Sequence, residues 1–348
     1  RCTRTGYDLA SWNTQENGTG DSYDKDEEVQ GIYDKHGETL NLYSQWTPKT
    51  NIKYVVNHYI QNVNNNEYTL KDTETNQNGT ADASKTFTPN SYTGFKSPSN
   101  QTITIKADGS TVVNFKYERN SYNITFDANG HGTPAASSLK TKYGATYNLT
   151  TISADGYIFD GWYTAKTGGT PVTNSTVLEK TEDHTLYAHW TLESFDVTYD
   201  PNGGDTLSPN KKTVKYSEKY GDLPTPTRTG YKFDGWYTAA TNGIQITKDT
   251  IVTKTEAHTI YAHWSALTQY TATFKANGTS TTETTRSCYV QPGSTSCTVT
   301  APDITASTNY TAVGWNDTST ATTSEVAAKG TVTLSANTTY YAIQKRTI

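Results

Sequence analysis

The chain has 348 residues, only 33% of them apolar and 18% charged, with 26 Tyr and 7 Trp. That composition is too polar for one large core and suits several small ones built on aromatic and β-branched strands. A formal net charge of -5 with no basic stripe excludes nucleic acid as the main partner. No apolar run approaches the roughly 18 residues that span a bilayer, so no membrane insertion is expected here. The sequence holds no Met and reads as a piece of a longer protein.

Taken in chain order, Gly6-Tyr-Asp-Leu-Ala-Ser-Trp12 and Leu42-Tyr-Ser-Gln-Trp46 read as two strands. Between them, the acidic run through Asp21, Asp24, Asp26, Glu27 and Glu28 lacks the spacing of a calcium loop and reads as solvated. Residues 48–119 form a different pattern, with strands at 54–60, 103–105 and 112–117 among Asn- and Gly-rich turns. Asp108-Gly109 predicts a hairpin joining residues 104–106 to 111–113.

From residue 120 the chain repeats itself. Tyr122-Asn-Ile-Thr-Phe-Asp-Ala-Asn-Gly130 returns as Phe195-Asp-Val-Thr-Tyr-Asp-Pro-Asn-Gly203 and as Tyr270-Thr-Ala-Thr-Phe-Lys-Ala-Asn-Gly278. Gly156-Tyr-Ile-Phe-Asp-Gly-Trp-Tyr-Thr164 matches Gly230-Tyr-Lys-Phe-Asp-Gly-Trp-Tyr-Thr238. Thr185-Leu-Tyr-Ala-His-Trp190 matches Thr259-Ile-Tyr-Ala-His-Trp264. A last copy keeps Gly314-Trp315 but has Gln344 where the closing Trp would fall, and the two N-terminal strands form the second half of another copy. The repeat therefore sets the boundaries: 1–47, 48–119, 120–192, 193–266 and 267–348.

Side chains alternate between the faces of a strand. Leu186, Ala188 and Trp190 should share one face, with Tyr187 and His189 on the other. In the middle strand Ile158, Asp160 and Trp162 should oppose Phe159, Gly161 and Tyr163. The recurring indoles read as core anchors: Trp12, Trp46, Trp162, Trp190, Trp236, Trp264 and Trp315. A sugar-stacking platform is the competing reading. Tyr163, Tyr187, Tyr237 and Tyr261, on the opposite face, are the candidates for ligand contact, or else pair across strands. Gly161 and Gly235 mark a bend or close backbone approach. His184 and His189, repeated as His258 and His263, fall on opposite faces and cannot both serve one zinc ion, so packing against Tyr is expected.

Cys288 and Cys297 flank the turn Gln291-Pro-Gly-Ser294. Folding back there could bring the sulfurs together, a disulfide worth roughly 2–3 kcal/mol and a sign of an oxidising compartment. Two unpaired thiols are the alternative, and Cys2 is left over. No nucleophile elbow, zinc-protease helix, phosphate loop or dinucleotide fingerprint occurs. No enzyme activity, cofactor or metal is expected.

The segments 121–191 and 194–265 closely resemble the Listeria–Bacteroides repeat of internalin B type. The resemblance rests on Tyr-Asp-Pro-Asn-Gly-Gly, Gly-Tyr-x-Phe-Asp-Gly-Trp-Tyr and Tyr-Ala-His-Trp. Residues 1–47 look like the C-terminal half of the same module and 268–345 like a divergent copy. Residues 48–119 are similar, more loosely, to mucin-binding-protein repeats. The resemblance implies a β-rich α+β fold of tandem β-grasp-like modules, each with a short helix or helical turn, in adhesins on the bacterial cell surface, attached to the cell wall or secreted. The expected role is a non-enzymatic stalk that projects adhesive domains. With modules about 25–30 Å across, it would be an elongated rod of roughly 100–130 Å. The alternative is direct binding of host glycan, mucin or surface protein; self-association is left open.

Overall fold

The computed structural model describes residues 2–28, 37, 39–276 and 283–346; the Asn277-Gly278 turn of the third motif copy lies outside them. The chain divides into two compact units, residues 1–154 with 159–190 and residues 155–158 with 191–348.

In the first unit, β1 (Tyr7–Asn13), β2 (Ser22–Asp24) and β3 (Tyr43–Pro48) form an antiparallel sheet in the order β2-β1-β3. The next module holds β4 (Ile52–Gln61), β5 (Tyr68–Gly79), β6 (Ser84–Phe87), β7 (Phe95–Lys96), β8 (Gln101–Thr104) and β9 (Thr111–Arg119). Its main sheet runs β5-β4-β9-β7, with β4 and β9 parallel, and β6 pairs with β8 separately. The hairpin expected at Asp108-Gly109 is corrected: β8 and β9 belong to different sheets. The Gly109 amide does close a turn on the Lys106 carbonyl. The Ile105 amide, however, bonds the Ala83 carbonyl, which carries Ile105 into the core. The third module adds β10 (Ser121–Asp127), β11 (Ser138–Lys142), β12 (Tyr157–Tyr163), β13 (Pro171–Val172) and β14 (His184–Leu192), in the order β11-β10-β14-β12-β13.

The second unit repeats that order with β15 (Ser194–Asp200), β16 (Lys211–Lys215), β17 (Tyr231–Tyr237), β18 (Gln245–Ile246) and β19 (His258–Ala266), as β16-β15-β19-β17-β18. The last module has β20 (Gln269–Lys275), β21 (Glu283–Tyr289), β22 (Cys297–Thr300), β23 (Tyr310–Asn316), β24 (Thr331–Leu334) and β25 (Thr338–Arg346). Its sheet is β21-β20-β25-β23, and β22 pairs with β24. First and last strands are parallel neighbours in each of the four complete modules. Residues 48–119 thus share the frame of the repeats despite their different sequence.

The α+β, β-grasp-like expectation is corrected: no helix occurs among the described residues. Between the second and third strands of the repeats the sequence is rich in Thr, Ser and Gly, and in the second unit includes Pro224 and Pro226. β-Branched residues, Gly and Pro are poor in helix interiors. Instead these stretches run extended. The Tyr147 amide bonds Thr176, Leu178 bonds Ala145, Tyr220 bonds Thr250 and Val252 bonds Glu218, all at 2.8–3.0 Å.

Four separate apolar clusters fill the complete modules, centred on Phe115, Trp162, Trp236 and Trp315. Strict alternation fails in the middle strand. Register slips between Phe233 and Gly235, and between Ala312 and Gly314, as it does between Leu9 and Ser11. One extra residue turns two rings three positions apart to the same side. Phe159 and Phe233 therefore pack edge-on against Trp162 and Trp236 at 5.5 and 5.7 Å, while Ile158 is 51% exposed. Gly235 carries its bulge at φ +136°, and Gly161 holds the same conformation at φ +141°, where an L side chain is strained.

Candidate binding surface

Trp162, Trp236 and Trp315 are buried, while Trp12, Trp46, Trp190 and Trp264 are half-buried at the module margins. Each of the six indoles from Trp46 onward finds an acceptor. Trp162 donates to the Thr150 carbonyl, Trp236 to Pro224, Trp315 to Pro302, Trp190 to Ala128 and Trp264 to Pro201, all at 2.8–3.0 Å. Trp46 donates to Ser44 Oγ at 2.9 Å. An amphipathic ring so anchored is fixed in place as well as desolvated.

On the opposite face, Tyr163 lies flat on His189 and Tyr237 on His263, with ring centroids 3.9 Å apart. The histidine Nε2 donates to the Ala165 or Ala239 carbonyl at 2.9 Å, which sets its tautomer. Tyr187 carries the Lys166 ammonium 5.7 Å above its ring, and that ammonium sits 3.5 Å from Asp127. Tyr261 occupies the equivalent half-buried position of the next repeat. In each of the two repeats the structure places these tyrosines half-buried on the strands. His184 and His258 sit apart from the stacks, bonded to Tyr147 and Tyr220 at 2.9 and 2.6 Å. Burial pushes both phenols above the usual tyrosine range. Among the described residues no three His, Cys, Asp or Glu side chains are arranged to hold a metal, and no helix is long and apolar enough to cross a membrane.

Cys288 and Cys297 form a disulfide, with Cα atoms 5.8 Å apart, and pack against the last core. Cys2 is a free, exposed thiol.

Sequence reasoning missed two polar devices. The first is the repeated Asp-x-Asn. Asn129 and Asn202 hold positive φ and donate their amide nitrogens to two carbonyls each. Those carbonyls, Lys166 with Ala188 and Ala240 with Ala262, lie on different elements, so the opening turn pins the loop and the closing strand together. The Asp-x-Asn spacing of an Asx turn was its visible signal. The second is His58, fully buried, with Nδ1 2.8 Å from Tyr117 Oη and Nε2 3.1 Å from Glu74. Burial, with smaller contributions from Tyr92 and Glu74, pushes the Tyr117 phenol up to about 12. A single copy gave no repeat to mark it.

The Listeria-Bacteroides repeat domain matches residues 1–36, 122–189, 195–263 and 270–343, well over half of the chain. The chain belongs to the Listeria-Bacteroides repeat family. Those matches leave residues 48–119 outside, so the mucin-binding likeness is not supported by them. One relative, named as a Gly-rich membrane protein of Evansella cellulosilytica, is 25% identical over 79% of this chain and 32% of its own length. Internalin H of Listeria monocytogenes is 42% identical over 27% of this chain and 16% of its own length. The chain therefore spans a third or less of these relatives. The Bacillus anthracis TIE protein aligns with 65% of this chain and 54% of its own at 11% identity, with a TM-score of 0.26, too low to define a shared fold. Family and relatives together point to the repeat region of a surface or secreted protein.

Proposed function

We propose that this chain is the non-enzymatic spacer of a bacterial adhesin, holding adhesive parts of a longer protein away from the cell wall. The observation that carries this reading is the separate core of each complete module. A module that buries its own aromatics can be added in tandem to lengthen a protein without redesigning its neighbours. Joints are short: Asn120 alone separates β9 from β10, and Leu267-Thr268 separate β19 from β20. The internalin relative supports a surface setting. Small-angle scattering tests it: modules about 25–30 Å across, placed in line, give a maximum dimension of roughly 100 Å or more. A compact particle of about half that dimension overturns the spacer.

A further inference from the structure

Two recesses in this chain are built on the same four residues. Arg4-Thr5-Gly6-Tyr7 and Arg228-Thr229-Gly230-Tyr231 lead into the equivalent strands β1 and β17. In both, the Tyr amide donates to the Arg carbonyl at 3.1 Å, closing a turn around a glycine at φ +78° or +81°. The turn folds the arginine back over the tyrosine, with its guanidinium carbon 3.9 or 3.8 Å from the ring centroid. Two residues on, Leu9 pairs with Trp46 and Phe233 with Trp264, which sets an indole beside the stacked pair. Arg, Tyr and Trp line recesses of about 490 and 610 Å³, the first in one unit and the second in the other.

A guanidinium stacked on a ring keeps its plane fixed and turns its N–H edge outward, a fork that matches a carboxylate. Neither fork is engaged by a carboxylate among the described residues. Arg119, also stacked on a ring, differs: its donors are taken by the carbonyls of Gln61 and Tyr143. The other charges roughly balance. Lys49 pairs with Asp8 in the first recess, where Lys25 and Asp26 also lie; in the second, Lys232 pairs with Asp234 at 3.6 Å and Asp205 accepts from Thr227. Each recess thus presents an arginine with no ion pair to a carboxylate among the described residues, although Asp205 also lines the second.

We infer that each Arg-Thr-Gly-Tyr recess binds an acidic saccharide. The sugar carboxylate would take the guanidinium fork, and the apolar face of the pyranose would lie toward the Trp–Tyr wall. The corresponding positions in the other two repeats are Ala154 and Ser307, which offer no fork. The site is distinct from the stacked Tyr–His faces and does not rest on the spacer reading.

Calorimetric titration of the whole chain with galacturonic-acid oligosaccharides, and with neutral galactose oligosaccharides of equal length, tests the inference. Two sites for the acidic ligand and none for the neutral one are expected. Charged hydrogen bonds of ordinary strength imply a loss of about tenfold or more in R4Q/R228Q. Both arginines are at least partly exposed, so that variant should keep the thermal transition of the parent. R4K/R228K keeps the charges and loses the planar fork, and should bind more weakly than the parent. No binding by the parent, equal binding of the neutral sugar, or undiminished binding by a folded R4Q/R228Q each overturns the site. Full affinity in R4K/R228K overturns the fork.

Discussion

Tyr117 shows how one side chain couples stability to pH. Its phenol is fully buried beside His58 and is pushed from 10.0 up to about 12. The folded state therefore favours the neutral phenol. Its stabilising contribution is complete below pH 10 and is lost as pH rises through about 12. Unfolding followed against pH should show residues 48–119 weakening across that window. Tyr117→Phe should flatten the alkaline limb, though it also removes the partner of His58 Nδ1 while Nε2 keeps Glu74. An alkaline limb of unchanged slope in Tyr117→Phe would assign the effect to other tyrosines. Little of this cluster was legible in the sequence, because Tyr54-Val-Val-Asn-His-Tyr-Ile60 reads equally as a strand with His58 turned outward. The indoles were marked by their recurrence, and of the seven, Trp162, Trp236 and Trp315 are buried while the other four are half-buried. Their acceptors were not legible, since Thr150, Pro224 and Pro302 carry no sequence mark of an exposed carbonyl aimed at a ring.

At the scale of the element, the glycine bulge decides which rings enter the core. Gly235 sits at φ +136°, and an added Cβ would meet Gln245 Nε2 at 2.7 Å. The glutamine can swing aside, but the backbone angle cannot be relieved without removing the bulge. Gly235→Ala should cost about 1–3 kcal/mol, measured by denaturant unfolding of the 193–266 module. A cost near zero would mean that Phe233 and Trp236 reach the core without the bulge. The repeated Gly was readable as a bend, yet a period of two placed Phe159 and Trp162 on opposite faces because alternation assumes an unbroken register. The helix is a different kind of error. The resemblance implied it, and the Thr- and Pro-rich connection runs extended instead.

For the molecule as a whole, separate cores imply that unfolding is not a single transition. Trp236→Ala should remove about 3–5 kcal/mol from one step only. Hydrogen exchange would then accelerate across residues 193–266 and stay close to parental in 48–119. Acceleration throughout the chain would show that the modules share stability through their joints. The parallel pairing of first and last strands has a further consequence, mechanical in kind. In the β15–β19 pair the chain enters at Ser194 and departs past Ala266, at opposite poles of the sheet. Tension applied through the ends strains the bonds between these strands all together, in shear. Tension applied at Lys232 and Ser265, which face each other across β17 and β19, opens them one after another like a zipper. Single-molecule stretching should therefore find a higher rupture force between the chain ends than between those two sites.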